Sequence, residues 1–158
     1  MRLPMMVAGA FALTSFLLIA ACGESDTSDG RGGAESASQP IERPDTPPEF
    51  ASRTNPFSGD AEAIEKGREL YAASCAQCHG DSGRGDGINA ASLDPPVTDF
   101  TDDDFKDVSS QYIFWRITEG SMMEPFRSMR SGMTPFGSLY DEEDRWRMVS
   151  YIESLRGD

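Results

Sequence analysis

Cys75-Ala-Gln-Cys78-His79 constrains this chain more than any other stretch. Cys-x-x-Cys-His is the spacing by which c-type haem is attached covalently. Two thiols three residues apart on a short helical turn can each form a thioether to one vinyl group of a porphyrin. The adjacent imidazole then points at the iron as the proximal ligand. The same cysteine pair could also serve as a redox disulfide or as half of a zinc site. A zinc site wants two further Cys or His ligands, yet the chain has one histidine and one other cysteine, the distant Cys22. A thioredoxin-like dithiol wants strand–helix alternation, and none is visible. The pattern points to one covalent haem c on Cys75, Cys78 and His79.

The first residues set the compartment. Arg2 gives a basic start, Met5 to Ala21 is an apolar run without charge, and small residues close it before Cys22. Such a run reads as an export signal, at the short limit for a bilayer span. Leu18-Ile19-Ala20-Ala21-Cys22 resembles the lipobox of bacterial lipoproteins. That resemblance implies a signal peptide over 1–21 and a lipid-bearing Cys22 as the mature N-terminus, holding the protein at the extracytoplasmic face of a membrane. An uncleaved anchor with Cys22 as an incidental thiol is the alternative. Two or more acyl chains give stable anchoring where one does not.

Residues 22–56 are rich in Ser, Gly, Pro, Glu and Asp, with almost no large apolar side chain. Such a segment cannot bury enough surface to offset its ordering entropy, so a disordered acidic tether is expected there. Its reach is about 30–35 Å as a flexible chain, more where prolines stiffen it. Residues 57–158 remain as a single domain. The formal net charge is −13, and removing a signal whose only charge is Arg2 makes the chain more acidic still. That sign excludes nucleic acid as a partner. Lys66 and Lys106 are the only lysines, so no lysine ring for docking an acidic partner is present.

Helices and long loops, without strands, describe the domain. Asp60 to Ser74 holds good helix formers, with Ile64, Gly67, Leu70 and Tyr71 at three- and four-residue spacing. Gly67 costs about 1 kcal/mol there against alanine, which implies a close approach by another element. Ser109-Ser110 offers an N-cap for Gln111 to Glu119, a helix apolar nearly all round and ended by Gly120. Asp141 caps a third helix with acids in its first turn, an apolar stripe through Trp146, Val149 and Ile152, and an end near Arg156-Gly157. The stretches 80–108 and 120–140 are long for loops in so small a domain, and a haem gives them something to wrap.

Residues 57–158 resemble the class I cytochrome c family, an all-α fold of three to four helices and long loops around one covalent haem. The resemblance rests on Gly67 and Tyr71 in the N-terminal helix, an aromatic (Tyr151 or Trp146) in the C-terminal one, and the glycine-rich run Gly80 to Gly87 after the haem motif. Leu93-Asp94-Pro95-Pro96 is similar to the family's proline-bearing loop. It implies that a carbonyl of Pro95 or Pro96 accepts a hydrogen bond from the histidine's second ring nitrogen; a plain rigid turn is the alternative. It also implies a methionine as the sixth ligand, since His79 is the only histidine. Met123-Glu-Pro-Phe and Met133-Thr-Pro-Phe share a local pattern ten residues apart. Met133, with Gly132 before it and Phe136-Gly137 after it, matches the family's ligand segment better, although Thr134 stands between methionine and proline. Met123 is the second choice.

With both axial positions filled from the protein, the chemistry left is one-electron transfer, with no small-molecule substrate. The expected function is a lipid-anchored monohaem carrier between membrane redox proteins, donor and acceptor. The alternative is a fixed monohaem subunit of a quinol-oxidising or terminal-oxidase complex. A third reading, a haem sensor or peroxidase, needs a labile sixth ligand. Arg127 and Arg130 face only Glu124 in the ligand loop, with Arg116 just before it. The resemblance places that loop at the exposed haem edge, implying either a basic docking rim or arginines paired with propionates and nearby carboxylates.

Overall fold

A computed structural model describes residues 43–156. The expected signal peptide, Cys22 and the tether as far as Glu42 lie outside them. Six helices follow in order: α1 (Pro48–Ala51), α2 (Ala61–Ser74), α3 (Ala76–His79), α4 (Asp103–Lys106), α5 (Ser110–Glu119) and α6 (Glu142–Ser154), with a 3-10 turn at Ala90–Ser92. No strand occurs among the described residues, and no described helix is long and apolar enough to cross a membrane.

The three long helices start where side-chain caps start them. Asp60 accepts from the N–H groups of Glu62 and Ala63 at 2.9 and 3.0 Å, Ser109 from Tyr112 at 3.2 Å, and Asp141 from Asp144 at 2.8 Å. Each cap satisfies donors that a helix start otherwise leaves free. α5 ends at Gly120, whose φ of 51° lies in the left-handed region that favours glycine. α6 stops at Ser154, short of the expected Arg156-Gly157. Arg156 instead turns back and donates to the carbonyls of Lys106 and Val108 at 3.2 and 2.6 Å.

α2 and α6 cross face to face. α2 buries Ala63, Gly67 and Tyr71, spaced by four, and α6 buries Trp146, Val149 and Ile152, spaced by three. At the crossing an added Cβ on Gly67 would overlap the carbonyl oxygen of Arg147 and lie 3.0 Å from Cβ of Tyr151. The close approach expected at Gly67 is therefore that of α6. Tyr151 is the aromatic beside it, 5.1 Å from the Tyr71 ring. Trp146 instead stacks on Phe114 of α5 at 4.0 Å, joining the third helix to the pair. Phe114, Trp115, Met148 and Val149 are almost wholly enclosed, and each such side chain contributes about 1.5–3 kcal/mol of burial.

The N-terminal boundary of this packed unit needs correction. The tether was expected to stay disordered to Pro56, but residues 43–56 lie on the domain. The Phe50 ring is buried against Phe114 and Trp115 at 6.3 and 6.5 Å. Asn55 is buried too, donating to Ser150 Oγ at 3.0 Å and accepting from the Phe57 N–H at 2.9 Å. Gln111 donates to the Arg53 carbonyl at 2.8 Å. Average composition hides this, because one aromatic and a few paired polar groups suffice where a groove exists to receive them.

Candidate functional site

Cys75 closes α2, its N–H bonded to the Tyr71 carbonyl, and the next turn, α3, carries Cys78 and His79. The turn is held by bonds from the Cys78 and His79 N–H groups to the Cys75 carbonyl at 3.1 and 2.9 Å. The chain then wraps back on it, Gly85 donating to the His79 carbonyl and Gly87 to that of Cys78 at 2.8 and 3.2 Å. Tyr71 Oη donates to the Gly80 carbonyl at 2.8 Å, fixing the turn to α2. No disulfide joins the two cysteines. Burial, reinforced by Cys78, pushes the Cys75 thiol up to about 12, opposite to the lowering that makes redox-active pairs reactive.

The His79 ring stacks on Phe100 at 4.4 Å, and its Nδ1 lies 3.2 Å from the Thr98 carbonyl oxygen. Thr98 thus takes the role expected of Pro95 or Pro96. The reason is local: Phe100 N–H donates to the Gly83 carbonyl at 2.7 Å, pinning the loop so that Thr98 passes His79. Pro95 and Pro96 instead face the cavity as walls. Burial holds the His79 pKa below its ordinary value, with the Arg116 cation acting the same way and the Thr98 carbonyl opposing both. The net direction favours the neutral ring, the form a metal ligand must take.

A cavity with two lobes runs from this turn to the 120–137 loop, and Cys75, His79, Arg116 and Met133 line both lobes. The loop is pinned at its ends. Ser121 N–H donates to the Met133 carbonyl at 2.9 Å, and Phe136 and Gly137 donate to the Ile117 and Thr118 carbonyls at 2.9 and 3.0 Å. An added Cβ on Gly120 would lie 2.6 Å from the Thr134 and Pro135 backbone, so the loop folds directly over the end of α5. These contacts bring Met133 to the cavity together with His79. Met123 is half-buried at the core margin and does not line either lobe. The repeated pattern has another use: its two phenylalanines, Phe126 and Phe136, are buried walls of the two lobes.

Arg116 belongs to the site rather than to an exposed rim. Its guanidinium lies 3.3 Å from the Phe126 ring centroid, and Nη2 is 3.7 Å from Met133 Sδ. Burial depresses its pKa. A cation inside an otherwise apolar helix was the signal for this. Arg127 and Arg130 are exposed.

The donor set suits an iron porphyrin: two thiols on one turn, one imidazole and two thioethers around an apolar, aromatic cavity, Met133 lining both lobes and the more exposed Met129 only one. Trp115 Nε1 is buried without a partner, its ring beside Tyr112 and Phe126 at 5.6 and 5.5 Å, both cavity walls.

Residues 62–152 match the family model described as cytochrome c oxidase, cbb3-type, subunit III. The chain belongs to this cytochrome c family. Haem c, bound covalently, is thus the cofactor of this cytochrome domain, and electron transfer its chemistry. Among solved structures, a chain of the Kuenenia stuttgartiensis reducing HAO-like protein complex is 27% identical with a TM-score of 0.54, the match covering 65% of this chain and 47% of that one. This chain therefore spans about half the length of that relative. Cytochrome cL of Methylophaga aminisulfidivorans is 21% identical with a TM-score of 0.49, over 84% of this chain and 74% of that one. No curated protein matches the chain.

Proposed function

We propose that this cytochrome is a lipid-anchored, monohaem carrier passing single electrons between membrane redox proteins outside the cytoplasm. The observation that supports it is the meeting of His79, from the Cys-x-x-Cys-His turn, with Met133, from the pinned loop, in one cavity. When bound, the haem supplies a one-electron ferric–ferrous couple. Cys75 and Cys78 would hold it by thioethers, and His79 Nε2 and Met133 Sδ would supply the iron ligands. His79 Nδ1 donates to the Thr98 carbonyl, which fixes the tautomer and strengthens the imidazole as a ligand. With His79 and Met133 both given to the iron, no place would be left there for a substrate. The two ligands stand on a rigid frame, the α2–α6 crossing and the loop bonded to the end of α5. Cys22 carries the lipid.

A second reading has its own support. The matched family is described by an oxidase subunit, and one structural relative is part of a complex. A fixed subunit would copurify with partners after mild detergent extraction, whereas a carrier would leave the column alone. The reading itself is tested by two variants. Cys75→Ala/Cys78→Ala is expected to release its haem to acid acetone, where the wild type keeps it. Cys22→Ala is expected to leave the membrane fraction once the signal is removed. A Cys22→Ala protein still in the membrane sinks the lipid anchor, and haem still covalent in the double variant sinks the attachment site.

A further inference from the structure

We propose that residues 43–55, which lie upstream of the family-matched segment, form a strap that completes the haem cavity, and that Arg43 at its head binds the haem carboxylates together with Arg116. The inference rests on the haem attachment proposed above.

The strap is fastened along its length by Phe50, Arg53 and Asn55. At its head Arg43 Nη1 donates to the Asp104 carbonyl at 3.0 Å, and the guanidinium lies 5.7 Å from the Phe105 ring centroid. Arg43 thereby reaches the cavity, where it lines one lobe with Tyr112 and Arg116. Cys78 lines the other lobe.

Porphyrin chemistry gives this division a meaning. The two vinyl groups sit on neighbouring pyrroles, and the two propionates on the other two, across the ring. Cys75 lines both lobes and Cys78 only the other one, so tying the vinyl edge to this pair would turn the acid edge away from Cys78, toward the lobe of Arg43. Two guanidinium groups, Arg43 and Arg116, line that otherwise largely apolar lobe. Arg116 is half-buried; it donates to the Gly120 carbonyl, lies beside Met133 Sδ and makes no ion pair among the described residues. A buried cation without a counter-charge is costly, and a haem carboxylate would offset that cost.

The other charged or titratable groups near Arg43 are Asp45, Asp104, Asp107 and Tyr112, with Arg156 on the far side of Phe105 at 5.1 Å. The three carboxylates are exposed to solvent, where their effect on a buried edge is screened. The segment leading out of the tether thus ends on the haem, so the potential of this cytochrome depends on residues outside its family domain.

The test uses full-length, haem-loaded protein as wild type, Arg43→Gln, Arg43→Lys and Arg53→Gln. Arg53 is a control on the same strap, packed over Phe50 and Phe114 at 5.4 and 5.5 Å and paired with Glu142, away from the cavity. Arg43→Gln is expected to lower the reduction potential near neutral pH, because removing a cation favours the ferric state. It should also move the pH-dependent limb of the potential up by about one pH unit, the smaller end of what losing a neighbouring opposite charge does to a carboxylate. Arg43→Lys should recover most of both shifts, and Arg53→Gln should show neither. An unchanged potential and pH profile in Arg43→Gln overturns the proposal, as do equal shifts in Arg53→Gln, which would mark mere loosening of the strap. Failure of the underlying attachment would show separately, as wild-type haem that acid acetone extracts.

Discussion

Gly67→Ala should cost the folded domain about 3–5 kcal/mol in a denaturant titration. Alanine in a helix interior would ordinarily gain about 1 kcal/mol over glycine. Here the added methyl meets the Arg147 carbonyl oxygen and Tyr151 Cβ, which are backbone and the root of a side chain and cannot rotate away. α2 and α6 must move apart, which opens the contact between Tyr71 and Tyr151 and loosens the Cys75 turn at the end of α2. Overpacking of this kind costs about 1–3 kcal/mol where side chains can yield, and more where they cannot. The total is a large part of a small domain's stability of about 5–15 kcal/mol. Gly59→Ala is the contrast: its φ of 74° is strained for alanine, but nothing lies within 4 Å of the added Cβ. That change should cost only about 1–2 kcal/mol. Equal losses at the two positions would mean the crossing is looser than the geometry has it.

Met133→Ala should change the redox chemistry more than any other single substitution. Loss of the thioether removes the ligand that raises the potential. The potential is expected to fall on the order of 0.2 V, a fraction of the span of about 0.8 V that axial ligands command. The reduced variant should bind carbon monoxide, which the wild type should not. Stability should drop by about 2 kcal/mol from the truncated, half-buried side chain. Met123→Ala should lose similar stability and keep the wild-type potential, since Met123 does not line the cavity. A large fall in potential for Met123→Ala with none for Met133→Ala would exchange the two assignments.

How much of this was legible in the sequence depended on whether the information sat in side chains or in backbone. Caps and breakers are side-chain facts, and Asp60, Ser109, Asp141 and Gly120 mark the long helices to within a residue. Gly67 announced a close approach, since a helix-interior glycine needs compensation. The acceptor for His79 was not legible, because every residue has a carbonyl and only the path of the loop selects Thr98 over Pro95 and Pro96. Met133 and Met123 share a sequence pattern, and hydrogen bonds to the end of α5 separate them. The strap was hidden by averaging: residues 43–56 read as tether because Phe50 and Asn55 are few among many polar neighbours. Arg116 stands in sequence just before the basic loop and reads as part of its rim, yet the apolar helix around it carries it inside.

The absorption spectrum of purified full-length protein tests the central claim most directly, taken oxidised, reduced and as the pyridine derivative of the denatured chain. The account predicts the spectrum of a haem with both vinyl groups saturated by thioethers, one haem per chain. It also predicts a weak sulfur-to-iron charge-transfer band in the oxidised form, absent from Met133→Ala and present in Met123→Ala. A haem with intact vinyl groups, or a charge-transfer band that survives in Met133→Ala, would contradict it.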